Sequence, residues 1–230
     1  MTSTGKRFKV TQFKIGNYKA LVICEEDLQE AAPLIRTALL NAVKFLETDN
    51  DIIINVSSTA YKFVRDKMDG VSGYSSKGYA IFLSINSEAK LWKKFIGGTV
   101  AHEYNHAVRF QKINHWTKRT LLNSLVLEGL AQCFEEEVTG NLRPWSKAIT
   151  TKQANLIWTS LKRKLNVDSR DLEDSVFFGK GSKKFPMWAG YTIGYLIVKK
   201  RLAELGETDW NVITGKDAKM IVGKEKMRIL

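Results

Sequence analysis

The chain has 230 residues, of which 44% are hydrophobic and 10% aromatic, and a formal net charge of +12. That length and apolar content support one sizeable globular domain, or two small lobes sharing a cleft, and exclude a disordered or low-complexity chain. Cys24 and Cys133 are the only cysteines, too few for a disulfide framework, which excludes the small disulfide-stapled class and fits a reducing compartment.

The amino terminus, "MTSTGKRFKVTQFKIGNYKA", alternates lysine with apolar residues and has no continuous apolar run of the secretory kind. The runs "DIIINV" and "YTIGYLIV" are too short to cross a bilayer, so a cytoplasmic location and no membrane partner are expected. The positive charge is compatible with an anionic partner such as nucleic acid. No basic run of five and no aromatic-interleaved nucleic-acid motif accompanies it, and a solvated lysine-rich surface is the simpler reading.

In chain order, "EDLQEAAPLIRTALLNAVKFLE" spaces Leu28, Ala32, Ile35, Leu39 and Val43 as an amphipathic helix. "DIIINVSS" reads as a buried strand. "GVSGYSSKGYAIFLSIN" reads as a glycine-rich turn feeding a second strand centred on residues 80–83. "SEAKLWKKFI" predicts a helical segment broken at Gly97 and Gly98, before a helix that carries "TVAHEYNHAVRF". A helix is expected over 117–138, a turn at "NLRPW", and further helices near 148–165 and 186–205, with a lysine-rich last helix and tail. Strands come early and helices dominate later, which predicts an α+β class.

The stretch "HEYNH" places His102 and His106 one helical turn apart. At about 100° per residue the two lie within about 40° of each other. Thr99, Glu103, Arg109 and Phe110 share their half of the wheel, while Val100, Ala101, Tyr104, Ala107 and Val108 fall opposite. The helix is therefore expected to bury its back and present the histidines forward. Two imidazoles so placed can reach one Zn²⁺ at about 2.0–2.1 Å, and Glu103, displaced sideways, can take a proton from water. A polar helix face with unrelated histidines is the alternative.

Zinc needs a third protein ligand. His115 stands nine residues after His106, and Arg109 and Lys112 occupy the positions where a metzincin has glycine and histidine, so His115 is expected in a loop. The better candidate is Glu128 in "TLLNSLVLEGLAQCFEEE", a carboxylate among leucines that would be costly to bury without a cation. Ser124, Gln132 and Glu135 lie within about 40° of it on the wheel. Gln132 could hold a ligating histidine by its second ring nitrogen. A glutamate paired with a lysine at a helix surface is the alternative for Glu128.

"HEYNH", followed 22 positions after His106 by the glutamate of "LEGLA", resembles the gluzincin metallopeptidases. With "GYAIFLSI", "LRPW" and "PMWAGYTIGYLIV", the chain from about residue 70 onward is similar to a bacterial YjaZ-like family of predicted zinc-dependent proteases of unknown physiological role. The resemblance implies His102, His106 and Glu128 as ligands of one zinc ion and Glu103 as general base. It also implies a histidine or tyrosine downstream to stabilise the oxyanion. No histidine follows His115, which leaves Tyr191 and Tyr195, 63 and 67 residues past Glu128, with Tyr191 preferred. In this architecture the strand before the zinc helix can pair with an extended peptide, which points to Tyr79, Ala80 and Ile81; an ordinary strand with both edges covered is the alternative. No counterpart of the glycine-rich exopeptidase motif is seen in "MDGVSGYSSKGYAIFL", favouring endopeptidase action. Arg109 has no assigned role.

The expectation is thus a single zincin-like α+β domain spanning residues 1–230. A lobe of about residues 1–116 carries a small sheet and the zinc helix, a helical lobe of about 117–230 carries the third ligand, and a cleft lies between them. Its expected function is zinc-dependent hydrolysis of peptide or protein substrates. The alternatives are a zincin-fold binding module for nucleic acid or acidic protein, and a zinc hydrolase with a non-peptide substrate. The oligomeric state is not indicated.

Overall fold

A computed structural model describes residues 6–76, 79–113, 119–206 and 208–223. The chain divides into two compact units, residues 1–112 and 113–230. Within the described residues the class is α+β, with a small mixed sheet in the first unit. No helix among them is long and apolar enough to cross a membrane.

Among its described residues the first unit is built on five strands: β1 (Phe8–Ile15), β2 (Tyr18–Glu25), β3 (Ile52–Ser58), β4 (Val71–Ser76) and β5 (Ala80–Ile85). Their order across the sheet is β1-β2-β3-β5-β4, with β2, β3 and β5 mutually parallel and the two outer strands antiparallel to their neighbours. Helix α1 (Ala31–Ala42) links β2 to β3, short α2 (Lys62–Lys67) links β3 to β4, and α3 (Trp92–Lys112) follows β5. Alternation fixes which side chains the sheet buries: Ile52, Ile54 and Val56 on β3, and Ile81, Leu83 and Ile85 on β5, are all essentially inaccessible.

Three differences from the sequence reading have local causes. The lysine-alternating stretch at the amino terminus is the β1–β2 hairpin, its tight connection opened by Gly16 at φ 57°. Residues 71–76 are strand β4 rather than a turn; the turn is made earlier by Asp69 (φ 55°) and Gly70 (φ 87°), and β4 then pairs with β5 from Val71↔Ile85 to Ser76↔Ala80. Third, α3 runs unbroken through Gly97 and Gly98. Each glycine costs a helix interior about 1 kcal/mol, which packing offsets. The place of a Cβ on Gly97 is 3.9 Å from the Ala38 methyl of α1, and the Tyr104 hydroxyl donates to the Leu46 carbonyl (2.9 Å) just beyond α1.

The second unit is helical among its described residues. It contains α4 (Leu121–Thr139), α5 (Thr151–Leu161), α6 (Arg170–Phe178), α7 (Ala189–Leu205), α8 (Trp210–Ile213) and α9 (Ala218–Val222). Helix α6 was not foreseen; a serine cap at Ser169 and Gly179 at φ 67° delimit it. Helix α4 starts at a Thr120 cap and ends at Gly140, also left-handed. Its main partner is α7, and the two approach so closely that a Cβ on Gly129 would sit 2.2 Å from the Gly194 carbonyl oxygen. The "LRPW" stretch is a 3-10 turn (Pro144–Lys147) tied to α7: the Thr192 hydroxyl donates to the Trp145 carbonyl at 2.9 Å and accepts from the Ala148 amide at 3.0 Å.

Candidate metal centre and general base

Helix α3 carries the histidine pair as local geometry demands. The rings of His102 and His106 lie 4.7 Å apart, centroid to centroid, and perpendicular. The expected division into a buried back and a forward face is only half right. Val100, Ala101, Tyr104, Ala107 and Val108 are fully buried, but His102 and His106 are only 8% and 6% exposed and Glu103 5%. Arg109, at 2%, is buried as well.

Glu103 has a seat built for it. The Ser75 hydroxyl on β4 lies 2.8 Å from Glu103 Oε2 and 2.7 Å from the Glu103 backbone carbonyl. Two residues earlier on the same face of β4, Gly73 has no side chain, and a Cβ there would be 2.4 Å from Glu103 Cγ and 2.7 Å from Oε1. Sequence reasoning missed both residues. The signal was present as a small residue and a hydroxyl two apart in "GYS", but only with strand β4 recognised do Gly73 and Ser75 fall on one face.

Glu128 is half-buried on α4, next to Gly129, where α7 approaches. Gln132, one turn on, is engaged within its own unit. Its side-chain nitrogen donates to the Glu128 carbonyl (3.1 Å) and the Tyr191 carbonyl (3.0 Å), and its oxygen accepts from the Ser146 hydroxyl at 2.6 Å. The side-chain amide thereby ties α4, α7 and the 3-10 turn together. Glu135, on the same face of α4, faces Arg143 at 3.6 Å, both side chains 2% exposed.

The two tyrosines of α7 have different surroundings. The Tyr195 hydroxyl donates to Glu136 Oε2 at 2.8 Å, and the same oxygen accepts from Lys199 Nζ at 2.8 Å. Burial pushes the Tyr195 phenol above its ordinary pKa, and the bond to Glu136 adds to that. Tyr191 is half-buried, its ring edge-to-face with Phe177 at 5.0 Å and near Phe178 at 6.1 Å.

The strand expected to receive substrate is corrected by the ladder. Ala80 and Ile81 lie on β5, which pairs with β3 on one side and β4 on the other, so neither edge is open to a peptide. The Tyr79 carbonyl accepts from the Ile53 amide at 2.7 Å, and Ile81 is fully buried. Among the described residues the sheet ends at β4 instead. His115 lies outside the described residues.

Over residues 34–222 the chain matches the model of a family described as predicted Zn-dependent protease (DUF2268). The chain belongs to this family. No curated protein matches it. The family description implies zinc, and the residues of α3 fit such an ion by their chemistry: two imidazoles one turn apart are nitrogen donors suited to Zn²⁺, and the carboxylate between them in sequence is held to one side by β4.

Proposed function

We propose that this protein is a zinc-dependent peptidase in which Glu103 is the general base. The observation that carries the reading is the seat of Glu103: a buried carboxylate fixed by Ser75 over Gly73, on the helix that aligns His102 with His106. In this reading His102, His106 and Glu128 would hold one ion, two imidazole nitrogens and a carboxylate oxygen being a donor set suited to zinc. When bound, zinc supplies Lewis acidity and brings the pKa of a coordinated water toward about 7.

The chain's own groups do the rest. The Glu103 carboxylate accepts the proton released as water attacks the peptide carbonyl, then delivers it to the departing amine. The Tyr191 phenol donates a hydrogen bond to the oxyanion without ionising. Tyr191 is favoured because the hydroxyl of Tyr195 is already committed to Glu136. An extended substrate pairs with the outer edge of β4, the strand whose inner face holds Glu103, by strand addition. Pairing through main-chain groups within a peptide, with no glycine-rich exopeptidase motif, favours endopeptidase action.

The test is elemental analysis of the purified protein, then digestion of a peptide library with and without chelator. About one zinc per chain and cleavage that chelation stops and zinc restores are expected. Glu103→Gln should keep the metal and lose about 10²–10⁴-fold in turnover. Undiminished cleavage by that variant removes Glu103 from the chemistry. Steeply salt-dependent nucleic-acid binding without hydrolysis would instead favour a binding module.

A further inference from the structure

We propose that Ser75 is a positioning residue for the general base: its hydroxyl locks the Glu103 side chain into its working rotamer from β4, a strand that supplies no metal ligand. The inference deepens the peptidase reading and rests on it.

Three observations on one strand converge. Ser75 is itself buried, 5% exposed. Its oxygen lies 2.8 Å from Glu103 Oε2 and 2.7 Å from the Glu103 backbone oxygen. The single hydroxyl proton thus faces two acceptors of the same residue, the carboxylate end of the side chain and its own main-chain carbonyl, and is shared between them. Gly73, two residues away on the same face, leaves space in which the Glu103 stem lies flat; a Cβ there would meet Cγ, Cδ and Oε1 all within 2.8 Å. In the ladder Gly73 sits opposite Leu83 and Ser75 opposite Ile81, both fully buried, so β4 cannot slide to present other residues.

The physical need is clear from the side chain. Glutamate has three rotatable bonds, and a base must sit within hydrogen-bond reach of the proton it takes. A carboxylate free to swing spends part of its time out of reach, and misplacement of about 1 Å can cost about 10²-fold. Ser75 restrains one oxygen and Gly73 admits the stem. Helix α3 alone sets the direction of the Cα–Cβ bond but not the rotation beyond it.

The experiment compares Ser75→Ala and Ser75→Thr with the parent on a cleaved peptide, recording kcat, KM, zinc per chain and thermal midpoint. Expected for Ser75→Ala is a fall in kcat of about 10–100-fold with KM and zinc content little changed. Ser75→Thr, which keeps the hydroxyl, should recover part of the loss. A second, activity-free readout is a double-mutant cycle on metal-free protein, with Ser75→Ala, Glu103→Ala and both together in urea unfolding. The two effects should be non-additive, since the residues touch. Strict additivity, or an active parent whose Ser75→Ala variant keeps full kcat, overturns the role of Ser75 alone. A zinc-loaded parent that cleaves no peptide overturns the peptidase reading, and this role with it.

Discussion

Gly73 and Glu103 interlock: a methyl group on Gly73 of β4 would fall 2.4 Å from Glu103 Cγ on α3, a distance that real side chains do not adopt. Gly73→Ala must therefore displace the glutamate or push β4 off the helix. Overpacking of this kind costs about 1–3 kcal/mol, and the displaced base loses its alignment. We expect a lower thermal midpoint together with a fall in turnover larger than that of Ser75→Ala, measured by calorimetry and peptide cleavage. An unchanged rate would mean that the glutamate works equally well from another rotamer.

Gly129 follows Glu128 directly but serves packing. A Cβ on it would meet the Gly194 carbonyl oxygen at 2.2 Å, and one on Gly194 would meet the Leu125 carbonyl oxygen at 2.3 Å. Both contacts are with backbone, which has little freedom to yield. Gly129→Ala and Gly194→Ala should each force α4 and α7 apart at a cost of about 1–3 kcal/mol or more, read as a shift in urea midpoint. Retention of parental stability in both variants would contradict the close approach.

Tyr191 and Tyr195 separate by mutation. Tyr195→Phe removes a part-buried hydrogen bond to Glu136 and should lower stability by about 1 kcal/mol, leaving kcat within about twofold. Tyr191→Phe should lower kcat by about 10²–10³-fold, as loss of an oxyanion donor does. Kinetics showing the opposite pattern would exchange their roles.

Glu25 gives the first unit a dependence on acid. Burial opposes its ionisation, yet the bonds from Lys6 and Ser58 outweigh burial and hold its carboxyl below the ordinary value near 4.5. The folded state thus releases this proton more readily than the unfolded chain. Its contribution is present in full above about pH 4.5 and is lost as pH falls through the depressed value. Urea midpoints measured from pH 7 to 3 should fall more steeply for the parent than for Glu25→Gln. Parallel curves would show that Glu25 carries no such share.

Much of the candidate site was legible because it is local. The spacing of His102 and His106 within one helix fixes their proximity through the helical period, and the burial of Val100, Tyr104 and Val108 follows from the same period. The strand at residues 52–58 was legible from its β-branched run. The β1–β2 hairpin was not, since lysines alternate with its apolar residues and five of the eight residues of β1 stay exposed.

What the sequence determined by itself is this periodic content: an α+β chain, a helix bearing two imidazoles and a carboxylate, and a glutamate-bearing helix downstream. The tertiary structure alone decided how Glu103 is held, that β4 rather than β5 ends the sheet, that α3 continues through two glycines, and that Tyr195 is engaged by Glu136. The reason is the range of the forces involved. Helical period acts over four residues and can be read along the chain, whereas a seat made by Ser75 for a residue 28 positions away exists only once the sheet has paired and packed.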